Sequence, residues 1–279
     1  MRAGCEDGGR GCARASADPL LEAVLAHRQP LHLFLRDDDA GWGDEALRAL
    51  LDTVLGCGAA IDLAVIPEAL SAPQAAWLRR LPASVGLHQH GHRHANHEPE
   101  GTRRSEFGPH RALAAQRADL IDGRARLADA LGERLDPWFT PPWNRCRPET
   151  PALLAELGFA GLSRDAGAPP QHALPELPVH TDWTRHWREG GEAAVLAHLA
   201  RCYRQALAGQ PDDAPQPVTL GLMLHHAVMD EAERRALAAG LRRWLADGPV
   251  TSLPMRQAWP AVAGRAAGPQ AMASTGAAA

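Results

Sequence analysis

The run Leu31-His32-Leu33-Phe34-Leu35-Arg36-Asp37-Asp38-Asp39 passes directly from apolar residues of strand length into three adjacent carboxylates. Leu31 to Leu35 reads as a buried strand, and the carboxylates fall at its C-terminal end. Adjacent carboxylates repel and raise one another's pKa unless a cation is near, so Arg36 or a metal ion is expected beside them. A solvated turn is the plain alternative. Successive strand residues point to opposite faces, so the three are not expected to serve one ligand together.

The same alternation of strand and helix continues outward. Asp44 can cap a helix carrying Leu47, Leu50, Leu51 and Leu55 that stops near Gly56 and Gly58. Further strands are expected at 61–66, 84–87, 138–140, 159–163, 177–180 and 218–224, and further helices near 74–80, 111–131, 149–157, 192–207 and 231–245. Repeated βα units with right-handed crossovers give an α/β chain, either a parallel barrel or an open doubly wound sheet. Polar clusters follow the strands at their C-terminal ends, where one face of one sheet can gather them. The length of 279 residues and 45% hydrophobic content suit one domain over about 20–260. Residues 1–19 and the Ala/Gly-rich 261–279 carry too little apolar content to pack and are expected to be disordered.

The densest of those clusters is Leu87-His88-Gln89-His90-Gly91-His92-Arg93-His94-Ala95-Asn96-His97. His90 and His94, spaced i and i+4, converge on one metal ion if a helical turn forms there. Two histidines with one carboxylate leave coordination positions open for water and substrate, which is a catalytic rather than a structural arrangement. A solvated histidine loop is the bland reading.

Several classes drop out. A formal charge of -4 offers no cationic field for a nucleic-acid partner. No lysine occurs anywhere, which removes Schiff-base chemistry and P-loop nucleotide binding. Five cysteines without a CxxC pair suggest neither a zinc knuckle nor a complete disulfide framework. Without a signal-peptide pattern or a membrane span, the expected location is cytoplasmic.

Four segments together resemble the polysaccharide deacetylases with the NodB-type homology domain, as a divergent branch: Arg36-Asp37-Asp38-Asp39-Ala40-Gly41, His90-Gly91-His92-Arg93-His94, Phe139-Thr140-Pro141-Pro142-Trp143-Asn144-Arg145 and Leu222-Met223-Leu224-His225-His226. The resemblance runs from about Leu31 to His226 and implies a distorted (β/α)7 parallel barrel. It also implies a single divalent metal ion on Asp39, His90 and His94, with zinc expected first and cobalt, nickel, manganese or iron also suited to the ligand set. Asp38 would be the general base and His225 the general acid, in a hydrolase that deacetylates an N-acetylated sugar or glycan precursor. The Asp triplet also permits a register of Asp37 and Asp38, and His226 competes with His225. The third segment departs from the family's Arg/Pro form, leaving Arg36 and Arg145 as candidates to orient the base. Trp143, Arg145 and His226 are expected to touch substrate, Trp143 by stacking on a sugar ring. Three other readings remain open: another barrel metallohydrolase, such as an amidohydrolase or phosphoesterase; a non-catalytic sugar-binding or regulatory module on the same barrel; and a fully structural role for the carboxylate and histidine clusters.

Overall fold

A computed structural model describes residues 18–210, 216–246 and 248–259. Apart from Asp18 and Pro19, the segments expected to be disordered lie outside the described residues. In chain order the elements are α1 (Pro19–His27), β1 (Leu31–Ala40), α2 (Asp44–Leu55), β2 (Ile61–Val65), α3 (Ala72–Leu78), β3 (Val85–His90), α4 (Leu113–Leu131), β4 (Leu135–Thr140), α5 (Thr150–Glu156), β5 (Gly161–Leu162), β6 (Thr181–Asp182), α6 (Trp183–Ala208), β7 (Val218–Leu224), α7 (Glu231–Leu245), β8 (Val250–Ser252) and α8 (Met255–Ala258).

The strands are parallel and run β5-β4-β3-β2-β1-β7-β6, curling into a partly open barrel with helices outside, as the expected distorted (β/α)7 barrel requires. β1 is central. Along its length it pairs with β7; on its other side β8 takes Leu31 to Leu33 and β2 takes Arg36 to Ala40. The seam between β5 and β6 is closed by an irregular segment, whose Leu177 and Val179 N–H groups donate to Leu162 and Arg164 carbonyls at 2.9 and 2.8 Å. That segment was expected as the strand 177–180; Pro175 and Pro178 deny it two ladder donors, and the regular strand falls at Thr181–Asp182 instead. α6 likewise begins before the expected Glu192, because Asp182 caps it by accepting from Arg185 N–H at 3.1 Å and the helix is only broken at Gly190 and Gly191.

The helix layer packs by its apolar stripes. Leu47, Leu50, Leu51 and Val54 of α2 and Leu237, Leu241 and Trp244 of α7 are buried in one cluster, each large side chain contributing about 1.5–3 kcal/mol by leaving water. Asp18, which caps α1, also accepts from the Trp244 indole N–H at 2.8 Å, so the first helix is locked onto α7. A separate cluster gathers Phe34, Trp138, Met223 and Met255, where two strand glycines make room. A Cβ on Gly221 would lie 2.3 Å from the Phe34 ring, and one on Gly161 2.3 Å from Trp138.

Asp62 on β2 is 1% exposed and accepts from the Met255 N–H at 2.8 Å. Burial, helped by the charge of Asp136, pushes its pKa up to about 7. The folded chain keeps a proton that the unfolded chain releases near pH 4, so this group's share of stability is complete below about pH 4 and is lost as pH rises through about 7. Asp62→Asn keeps the carbonyl acceptor for Met255 and removes the titration. The fall in urea midpoint between about pH 5 and about pH 8 should therefore be smaller in the variant than in the parent protein, and an equal fall would refute the assignment.

Candidate functional site

The C-terminal end of β1 gives its three carboxylates three different environments. Strand alternation would send Asp38 and Asp39 to opposite faces, but the register with β2 slips between Asp37 and Ala40 and Asp39 takes a left-handed φ of +72°. The turn brings Asp38 and Asp39 into one small pocket of about 200 Å³, lined also by His90, His94, Trp143, Asn144 and His225.

Asp37 is fully buried and points elsewhere. Its carboxylate accepts from the His226 backbone N–H at 2.8 Å and lies 2.6 Å from His226 Nδ1, while His226 Nε2 lies 2.8 Å from the Trp42 carbonyl. Both ring nitrogens face acceptors, so both carry protons and His226 is an imidazolium. Burial opposes that charge, but the charge and hydrogen bond of Asp37 outweigh it and hold the pKa up at about 9. His226, 1% exposed, is thus placed in a structural pair and not on the substrate side where the sequence had set it.

Asp38 is held by Arg36, itself fully buried. Arg36 Nε and Nη2 donate to the two carboxylate oxygens at 2.8 and 2.9 Å, a bidentate pair, and its other donors reach Ser163 Oγ at 2.8 Å and Asn144 Oδ1 at 2.6 Å. Burial alone would raise the Asp38 pKa, but the guanidinium lowers it, and the carboxylate stays ionised. Arg36, not Arg145, is therefore the arginine beside this carboxylate. Arg145 instead donates to the Arg104 carbonyl at 3.0 Å.

Asp39 is left with the histidines. Its Oδ1 is 3.3 Å from His90 Nε2 and 3.2 Å from His94 Nε2, and one ligand atom from each of the three residues lies within 4.8 Å of the others. His90 Nδ1 donates to the Thr140 carbonyl at 3.0 Å, which fixes the tautomer and leaves the Nε2 lone pair facing the pocket. Asp39 Oδ1 and His90 Nε2 are both buried without a hydrogen-bond partner. Two imidazole nitrogens and a carboxylate oxygen converging with unused lone pairs fit a divalent metal ion.

The convergence of His90 and His94 does not use the helical turn that their spacing suggests. His90 ends β3, whereas His94 sits in a loop with φ +58°. Glu106, fully buried, accepts from the His92, Arg93 and Ala95 N–H groups at 3.1, 2.9 and 3.4 Å and moulds that loop. A Cβ on Gly91 would lie 2.1 Å from Glu106 Oε2, so the cradle requires glycine there. The remaining histidines of the cluster turn away: His88 Nε2 meets Thr140 Oγ1 at 2.8 Å, with burial driving its pKa down to about 3, and His92 Nε2 meets Asp122 at 2.8 Å. Trp143 lies with its ring centroid 4.3 Å from that of His94, and Trp42, 43% exposed, meets the same imidazole edge-on at 5.2 Å. Trp138 and Trp183 are core residues.

Sequence reasoning missed Glu106, Asn144 and Ser163. Asn144 stands in the third resembling segment but carries no role there, Glu106 and Ser163 stand in no recognisable pattern, and each acts through contacts distant in the chain. Asp39, His94, Trp143 and Asn144 are four of the five non-glycine residues with positive φ among the described residues, and all four line this pocket. Such backbone costs on the order of 1–3 kcal/mol per residue and persists where surroundings impose it, commonly at ligand sites.

No protein-family model matches the sequence, and no curated protein does so. Solved structures match by fold. A structure described as a putative polysaccharide deacetylase from Mycobacterium smegmatis superposes with a TM-score of 0.60 at 16% identity, over 89% of this chain and 96% of that one. The peptidoglycan deacetylase PdaC of Bacillus subtilis gives 0.53 at 11%, over 89% and 95%. BA3943 of Bacillus anthracis, described as a family 4 carbohydrate esterase pseudoenzyme, gives 0.50 at 12%, over 78% and 62%. The chain has the fold of the polysaccharide deacetylases, and the resemblance read from the four segments agrees with it.

The two adjacent histidines should behave oppositely on truncation. His226→Ala strands the Asp37 carboxylate in the core and is expected to cost about 3–5 kcal/mol in urea denaturation. His225→Ala, at the pocket wall, should cost less than about 1 kcal/mol. Equal losses would contradict the separate placement of the two rings.

Proposed function

We propose that this chain is a metal-dependent hydrolase that removes the acetyl group from an N-acetylated sugar or glycan precursor. The observation that carries the reading is the meeting, in one pocket, of an arginine-held carboxylate, an Asp/His/His ligand set with unused lone pairs and a free-standing histidine. The likeness of fold to deacetylases supports it.

Asp39, His90 and His94 would hold the divalent ion, with zinc the first expectation. Bound there, the ion would supply Lewis acidity toward the acyl oxygen and acidify water near it. Asp38 takes the proton from the attacking water at a carboxylate oxygen; Arg36 keeps that carboxylate ionised and aimed. His225, whose Nδ1 lies 3.8 Å from Asp182 Oδ1, delivers a proton from its ring to the departing amine nitrogen, so that the amide C–N bond breaks to acetate and free amine. Trp143 offers an aromatic wall against which a sugar ring can rest. Among the described residues no helix is long and apolar enough to cross a membrane.

Two measurements test this. Metal content of purified protein should be near one ion per chain and fall sharply in Asp39→Ala, His90→Ala and His94→Ala, the folded state being checked by circular dichroism. Acetate release from a panel of N-acetylated sugars should fall by about a hundredfold to ten-thousandfold in His225→Ala. Full metal content in the three ligand variants would remove the site assignment. Stoichiometric metal without acetate release from any sugar would leave a binding module.

A further inference from the structure

Next to the reaction pocket, and sharing Trp143, Asn144 and His225 with it, lies a much larger cavity of about 870 Å³. Its size is near the upper end of small-molecule sites. In a chain whose net charge is negative, five arginines line it: Arg103, Arg145, Arg164, Arg185 and Arg201. Three of these are already engaged. Arg164 is paired with Glu176 at 2.7 Å, Arg185 with Glu189 at 3.1 Å, and Arg201 bonds His198 at 2.5 Å.

Arg103 and Arg145 are different. No carboxylate comes within ion-pair distance of either among the described residues, and Arg145 Nε is buried with no hydrogen-bond partner. The two are close enough that, after burial, the charge of Arg103 is the chief influence lowering the Arg145 pKa. Asp165 attracts Arg145 without reaching it. Two guanidinium groups that line one cavity with no carboxylate at ion-pair distance form an arrangement that an oxyanion would relieve, accepting from both. Of the cavity's other carboxylates, Glu189 pairs with Arg185, Asp182 lies 3.8 Å from His225, and Asp165 feels Arg36 and Asp38 as well as Arg145. Arg103 and Arg145 are left as the cavity's two arginines without an ion pair among the described residues.

We propose that the substrate is an anionic N-acetylated sugar, whose phosphate or carboxylate group is bound by Arg103 and Arg145 while its acetamido group reaches the pocket at His225. This rests on the deacetylase reading for the acetamido end alone; the anion site stands on the cavity. The experiment is calorimetric binding to the full chain of N-acetylglucosamine, N-acetylglucosamine 1-phosphate and N-acetylglucosaminuronic acid, with acetate release measured separately. One or both charged sugars should bind about ten- to a hundredfold tighter than the neutral one, in a salt-sensitive manner, and the stronger of the two identifies phosphate or carboxylate as the group recognised. Arg103→Gln removes a side chain that makes no hydrogen bond in the fold, so it should erase most of that preference with unchanged thermal stability; Arg145→Gln, which also gives up the bond to the Arg104 carbonyl, should erase it too. Equal affinity for neutral and charged sugars, no binding of a charged sugar, or a preference intact in Arg103→Gln would overturn the proposal. Preference without acetate release would instead sink the deacetylase reading and leave the anion site standing.

Discussion

Three consecutive carboxylates at the buried end of the central strand set the terms for everything around them. Taking each ion out of water costs several kcal/mol, and the three would repel one another if left alone. The fold meets this with a different counter-charge for each. Asp37 has an imidazolium from the turn after β7, and Asp38 has a guanidinium two residues away on the same strand. Asp39 has only two imidazoles that face it with nitrogen atoms, and its Oδ1 and His90 Nε2 are buried without a hydrogen-bond partner. The first two charges are balanced within the chain; the third asks for a cation from outside. The divergence of the three roles follows from one slip of register and one left-handed residue at Asp39.

The surrounding loops are shaped for the same purpose. Glu106 gathers three N–H groups to hold His94 in a conformation that a non-glycine residue avoids, and Trp143 and Asn144 take consecutive left-handed conformations so that Asn144 reaches Arg36. Such strain is stable only because the barrel beneath is rigid. Phe34 and Trp138 are packed where Gly221 and Gly161 leave space, and Met223 joins them in that cluster beneath the mouth. Fold likeness at 11–16% identity says nothing of these local devices, and BA3943 bears a pseudoenzyme's description on the same fold. The argument for chemistry rests on this chain's own side chains.

Much of this was legible in the sequence. The apolar runs of β1, β2 and β7 and the amphipathic stripes of α2 and α7 declare themselves because burial of one face leaves a period in the chain. The carboxylate and histidine segments announce a site because their chemistry is costly without a partner. What was not legible depends on distance. Pro175 and Pro178 make irregular a segment that reads as a strand; α1, β8 and α8 are short elements defined by docking; and the choice between His225 and His226 turns on a contact with Asp37, 189 residues away. The i and i+4 spacing of His90 and His94 pointed to a pair that does converge on Asp39, but for the wrong local reason, since the distant Glu106 and not a helical turn directs the loop.

The position of Arg36 bears on how such a site is allowed to vary. An arginine that orients a carboxylate from a loop depends on that loop's path, whereas Arg36 and Asp38 occupy i and i+2 of one strand and share a face by the geometry of the pleat alone. With the carboxylate oriented from within β1, the segment from Pro141 to Arg145 no longer has to supply that arginine. It is released to carry Trp143 beside His94 and to turn Arg145 toward the large cavity. The segment departs from the Arg/Pro form of the family it resembles, yet Asp38 still has a bidentate guanidinium partner, which comes from β1. The loop contributes Trp143, Asn144 and Arg145 to the lining of the large cavity.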